Sequence, residues 1–154
     1  MRMSTRGRYG LTAMLDIAMH GELSAVTAKD ISERQEISVT YLEQLLSKLK
    51  RAGLVKGTRG PGGGYQLNKA VDQIKIGDIV RVLEGPIAPV YCVLPTVNPS
   101  QCDKLAKCAM RLLWKKLGDK MTEVLDSITL KDLKEEAIAL QGKKKVKHNY
   151  IFNI

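Results

Sequence analysis

The chain has 154 residues, with 25 Lys and Arg against 16 Asp and Glu, a formal charge of +9, 44% apolar residues and only 5% aromatic ones. That length suits one domain, or a small domain with a dimerisation element, around an aliphatic core. No apolar run approaches the ~18 residues of a membrane span, and the opening MRMSTRGRYG carries no secretion signal, so no membrane partner is expected and the place of action is cytoplasmic.

Residues 8–20 put Tyr9, Leu11, Met14, Leu15, Ala18 and Met19 on one helical stripe, with Ser4 or Thr5 as the cap and Gly21 as the stop. Thr27 and Asp30 have capping-box spacing and open a short helix over TAKDISERQ. After the turn EIS, Ser38 caps a longer helix, VTYLEQLLSKLKRAG, with Leu42, Leu45, Leu46 and Leu49 facing inward and Gly53 closing it. Two helices joined by a brief turn are a helix-turn-helix. LVKGTR and YQLN then read as the strands of a hairpin around RGPGGGY, residues 59–65, which completes a winged helix. IKIGDIVRVLEG is a further short helix, ended by Gly85.

Residues 86–103, PIAPVYCVLPTVNPSQCD, hold four prolines and no period, and read as a loop. From Lys104 to Ile128 the apolar period returns, predicting a long helix. Its stripe needs a partner, most simply the same helix of a second subunit. Thr129 and Asp132 cap a final helix, LKDLKEEAIAL, and the tail ends in NYIFNI, which is apolar enough to dock as a strand. The expected fold is mainly α with a small β wing. A winged helix-turn-helix covers 1–85, a cysteine-bearing sensor loop 86–103, a dimerisation helix and its successor 104–141, and a basic and apolar tail 142–154.

The cationic excess favours a polyanion, and the motifs favour double-stranded DNA. A recognition helix meets the major groove with its N-terminal residues, here Ser38, Thr40, Tyr41 and Glu43. Glu43 can accept from cytosine N4, and the three hydroxyls suit phosphates or base edges. The tip glycines Gly60, Gly62 and Gly63 tolerate positive φ and keep side chains away from a close neighbour. Arg59 beside them suits a narrow minor groove. Arg2 and Arg8 add charge at the start of the first helix. Two such heads on one dimer would read a pseudo-palindromic operator. No Gly-Lys-Ser/Thr P-loop, nucleophile elbow or paired histidines compete as a catalytic constellation, so no enzyme is expected.

Cys92, Cys102 and Cys108, the only cysteines, fall within 17 residues. Three thiolates from one loop suit an iron–sulfur cluster or zinc, with the fourth ligand open, whereas the bland reading is free thiols and an apolar Cys108.

The stretches RGRYGLTAMLDIA, DISERQ, YLEQLLSKLKRAGLVKGTRGPGGGY and IGDIVRVLEGPIAPV resemble the IscR/CymR/NsrR group of winged-helix transcription regulators, from Met1 to about Leu133. The resemblance implies a homodimeric DNA-binding regulator, a repressor more than an activator. Thr40, Tyr41, Glu43, Arg59 and the glycine wing match its DNA contacts. It also implies a cluster on Cys92, Cys102 and Cys108, 2Fe–2S rather than 4Fe–4S, as in IscR-like members. Those members add a histidine three residues after the last cysteine, where this chain has Arg111, and NsrR-like members use an early acidic residue where this chain has Arg8. The alternative is a CymR-like regulator of cysteine metabolism without a cluster, controlled by thiol oxidation or a partner enzyme. From another class, an iron–sulfur carrier or metalloenzyme would show turnover or cluster donation without salt-sensitive DNA binding.

Overall fold

The computed structural model describes residues 3–98, 100 and 102–144; Arg2 and the NYIFNI segment lie outside the described residues. In chain order the elements are α1 (Thr5–His20), α2 (Ala28–Gln35), α3 (Val39–Arg51), β1 (Val55–Thr58), β2 (Gly64–Leu67), α4 (Ile76–Glu84), α5 (Ala109–Ser127) and α6 (Leu130–Lys144). The strands pair antiparallel, Val55 with Leu67 and Thr58 with Gly64, and form the expected wing. An isolated bridge from Val26 to Tyr65 adds the chain between α1 and α2 to its edge.

The caps follow from the local chemistry. Ser4 accepts from the Arg6 amide, Thr27 and Asp30 form a reciprocal capping box, and Ser38 accepts from the Tyr41 amide. Glu36, at φ 55°, makes the left-handed turn between α2 and α3. On α3, Leu42, Leu45, Leu46 and Leu49 are buried as their spacing predicts.

Three expectations need correction. The buried face of α1 is Gly7, Gly10, Ala13, Met14, Asp16, Ile17 and Ala18, rotated from the predicted stripe, with Tyr9, Leu11, Leu15 and Met19 only half-buried. The reason is steric. A Cβ on Gly10 would stand 2.0 Å from Leu83 Cδ1, so α4 crosses α1 at glycines that hydropathy periodicity does not count.

The long helix is also shorter than predicted. It starts at Ala109, because Cys108 is extended (φ −89°, ψ 109°) and residues 105–107 form a separate 3-10 turn. At the other end, Ile128 leaves the helix for a bridge in which Ile76 donates to the Ile128 carbonyl and Leu130 donates to the Ile74 carbonyl. The last helix is longer than expected and runs on to Lys144.

The core is almost wholly N-terminal. Among the described residues, every buried apolar side chain lies between Ala13 and Leu83 except Leu130, which the bridge at Ile74 seats in the same core. Asp16 is the buried charged residue of the head. Its carboxylate accepts from Arg34 Nη2 at 2.6 Å, Arg34 Nε at 3.0 Å and Gln35 Nε2 at 2.8 Å, which ties the end of α2 to α1. Pairing with Asp16 raises the pKa of Arg34 above its ordinary value, and the carboxylate gains the hydrogen bonds that its burial requires.

Candidate nucleic-acid interface and cysteine loop

The outward face of α3 is a shallow groove lined by the polar and charged residues Thr40, Glu43, Gln44, Ser47, Lys48 and Arg51. Their spacing puts them on the side opposite the leucines that anchor the helix. Ser38, Thr40 and Glu43 are exposed, as a base-reading role requires. Tyr41 is different. It is half-buried, and its ring meets the Tyr9 ring edge-on at 6.1 Å and 82°. The Arg8 guanidinium lies 5.7 Å from the centre of the Tyr9 ring, so Arg8, Tyr9 and Tyr41 join the start of α1 to the start of α3.

Gln44 and Ser47 escaped the sequence reading, which took hydroxyl and carboxylate contacts from the start of α3 and then only the basic residues Lys48, Lys50 and Arg51 further along. The signal was present: Thr40, Gln44, Ser47 and Arg51 recur at helical spacing on the polar face. Gln44 presents an amide of the kind that pairs with adenine N6 and N7.

The wing sits beside this groove. Burial, with the charge of Glu43 added, pushes the Tyr65 phenol above its ordinary pKa, and Lys50 Nζ lies 3.1 Å from where a Gly57 Cβ would stand. Arg59, Gly60 and Gly62 are exposed at the tip and Gly63 is half-buried. Gly60 and Gly62 take φ of 93° and 76° with open space around them, as the glycine-rich turn predicts. Gly63 serves packing instead, since a Cβ there would fall 2.4 Å from the Thr58 carbonyl oxygen.

α4 connects this head to the loop and to α5. Glu84 Oε1 accepts from the Gly7 amide at 2.7 Å and from the Ser4 hydroxyl, while its other oxygen lies 3.9 Å from Arg6. A carboxylate is favourable at the positive end of α1. One turn earlier, Arg81 Nη1 donates to Asp126 Oδ1 of α5 at 2.9 Å.

Cys92 lies in a 3-10 turn (Tyr91–Val93), Cys102 lies before the turn at 105–107, and Cys108 is at the N-cap of α5. All three thiols are free and half-buried. Among the described residues, no three His, Cys, Asp or Glu side chains gather as a metal-binding group. Three free thiols suit iron in kind, but this conformation does not converge them. Arg111 is not placed as a ligand, because its Nε donates to the Cys92 carbonyl oxygen at 3.0 Å.

Residues 3–136 match the model of the Rrf2 family, described as iron-dependent transcriptional regulators. The chain belongs to the Rrf2 family. It is 40% identical over 145 residues to the HTH-type transcriptional regulator IscR of Escherichia coli O1:K1 / APEC, covering 93% of this chain and 87% of that one. The CymR structure of B. subtilis, titled the global cysteine regulator, superposes with a TM-score of 0.72 at 45% identity, covering 88% of this chain and 98% of that one. The T. potens IscR structure gives 0.73 at 37% identity, covering 99% and 97%. These Rrf2 relatives bear names of transcriptional regulators rather than enzymes, and the chain is an Rrf2-type transcriptional regulator with a winged-helix head. Among the described residues no helix is long and apolar enough to cross a membrane.

Proposed function

We propose that this Rrf2 regulator acts as a homodimeric, sequence-specific DNA-binding repressor whose cysteine loop reports iron–sulfur or redox status. The observation that carries the DNA reading is the exposed groove on α3, lined by Thr40, Glu43, Gln44, Ser47, Lys48 and Arg51. A helix held by four buried leucines presents amide, carboxylate, hydroxyl and cationic groups together on its free face. That mixture suits base edges bordered by phosphates. Ser38, Thr40, Glu43 and Gln44 enter the major groove, and Lys48 and Arg51 take phosphates. Arg59 and the Gly60–Gly63 tip reach the neighbouring backbone or minor groove. Arg8, holding the Tyr9–Tyr41 pair, contributes charge at the rim; Tyr41 acts mainly through packing, and Arg2 is assigned to the same rim on sequence alone.

Dimerisation uses α5. Met110, Leu113, Leu117 and Val124 are 39–56% exposed, and Met3, Leu117, Met121, Val124 and Leu125 line an almost wholly apolar groove. Two copies covering that stripe would hold two heads for a pseudo-palindromic operator.

Cys92, Cys102 and Cys108 would hold the cluster after the loop rearranges, with 2Fe–2S favoured over 4Fe–4S and a fourth ligand from outside these residues. A bound cluster would supply one-electron redox chemistry and sensitivity to iron supply. The chain's own part is mechanical. The loop at 86–108 joins α4 to α5, α4 grips α1 through Glu84, and Arg81 grips Asp126. A change in how the loop docks therefore acts on the spacing of the heads. The second reading, a cluster-free regulator controlled by thiol oxidation or a partner enzyme, is favoured by the unconverged thiols and by the likeness to CymR.

The test is anaerobic purification with iron and sulfide counts on wild type and Cys92→Ala, followed by DNA titration over a salt series. Equal iron and sulfide, lost in the variant, with affinity that falls steeply with salt, is the expected result. A colourless protein that resists reconstitution and still binds DNA selects the second reading. Iron without salt-sensitive DNA binding overturns both. In the same titration, Gln44→Ala should relax preference at one base position by about 1–3 kcal/mol, and an equal loss on all sequences removes Gln44 from base reading.

A further inference from the structure

Arg111, in the first turn of α5, grips the backbone of the cysteine loop. Its Nε donates to the Cys92 carbonyl oxygen at 3.0 Å, and the residue is half-buried. Gly118, seven residues further along the same face of α5, is the buried residue of that helix. A Cβ on Gly118 would stand 3.1 Å from Pro89 Cδ. The loop therefore touches α5 at two points two turns apart, Pro89 on Gly118 and Cys92 on Arg111. Between them lies a cavity of about 150 Å³, walled by Ile87 and Val93 from the loop and by Lys115 and Thr122 from α5. It leaves room for the loop to shift without unfolding the helix.

We propose that Arg111 is a positioning residue, a latch that holds the Cys92 segment of the loop on α5. A hydrogen bond from a charged donor is directional and stronger than a neutral one. The nearby cation of the cavity, Lys115, is engaged with Asp119 at 2.8 Å and does not duplicate it. The docked loop thus has a fixed place on α5, and Cys92 is shielded in proportion to how long the latch stays closed. This inference rests on reading residues 86–108 as the sensor segment, and it adds how that segment is held on α5.

The experiment uses the full chain, freed of metal and fully reduced. Iodoacetamide alkylation of each cysteine is followed by mass spectrometry in wild type, Arg111→Ala and Arg111→Lys. Loss of a hydrogen bond to a charged group is expected to speed alkylation of Cys92 roughly tenfold, with Cys108 changing far less. Arg111→Lys, which keeps a cationic donor, should recover most of the shielding. Thermal melting should not move, because Arg111 lies outside the buried core. Equal Cys92 rates in all three proteins overturn the latch, and so does equal acceleration of all three cysteines, which means general loosening. Iron uptake, measured separately, judges the sensor reading. A chain that never takes up iron ends the cluster assignment and leaves the alkylation result standing.

Discussion

α3 and α5 both carry leucine-rich stripes, and the molecule treats them in opposite ways. All four inward leucines of α3 are buried beneath α1, α2, α4 and the wing. On α5, six residues longer, Gly118 is the one buried residue, while Leu112, Leu113 and Val124 stay 50–67% exposed. Taking a leucine side chain out of water contributes on the order of 2 kcal/mol. The stripe of α3 has realised that gain within the chain, and the stripe of α5 has not. The difference teaches that period and composition identify an apolar face without identifying its cover. The head is a completed core that presents a polar face, and the arm keeps an apolar stripe that this chain does not cover.

The strongest way to break this comparison is to strike Asp16, the charged residue buried in the head among the described residues. Asp16→Ala should cost about 3 kcal/mol, because it removes the acceptor of Arg34 and Gln35 at a site without solvent access. Denaturant unfolding checks it, and a cost below about 1 kcal/mol would mean that the head does not depend on this pair. A charge placed in the arm should act differently. Leu113→Asp should abolish the dimer in sedimentation yet leave the unfolding of the head within about 0.5 kcal/mol, as for a surface substitution. A variant that stays dimeric removes α5 from the interface.

The finest contrast uses twin capping boxes, one in each region. Thr27 holds Asp30, and Thr129 holds Asp132, through the hydroxyl and the amide, and both carboxyls lie below their ordinary pKa for that reason. A depressed folded pKa contributes stability above the unfolded value near ~3.9 and loses it as pH falls through the lower folded value. Acidification below about pH 4 should therefore weaken both boxes. The Asp30 box should register in global unfolding of the head, and Asp30→Asn should flatten that acid slope. The Asp132 box should register mainly in hydrogen exchange of the first amides of α6. Identical slopes for Asp30→Asn and wild type would separate the head's acid response from its capping box.

Local chemistry was readily legible. The caps at Ser4, Thr27 and Ser38, the leucine face of α3 and the glycine turn of the wing are all set within a few residues of chain, so the sequence shows them directly. The candidate DNA face was legible in its first turn and missed further along, at Gln44 and Ser47, because the reading followed the helix N-terminus rather than the whole polar side. The rotation of α1 was hidden, since α4 crosses it at Gly10, where a Cβ would collide with Leu83 and which hydropathy scores as nearly neutral. The start of α5 was hidden too, because the apolar period runs through Cys108 although the backbone there is extended.

By itself the sequence determined the order of elements, the helix-turn-helix with its wing, the cationic balance and the clustering of three cysteines in one loop, because each depends on neighbours along the chain. Only the tertiary structure decided that Asp16 and Arg34 meet in the core, that Glu84 closes the start of α1, and that Arg111 grips the backbone of Cys92. Those pairs are 18, 77 and 19 residues apart. Nothing local links such partners; the first two meet because burying the apolar faces of α1, α3 and α4 brings their elements together, and the third because the loop docks on α5.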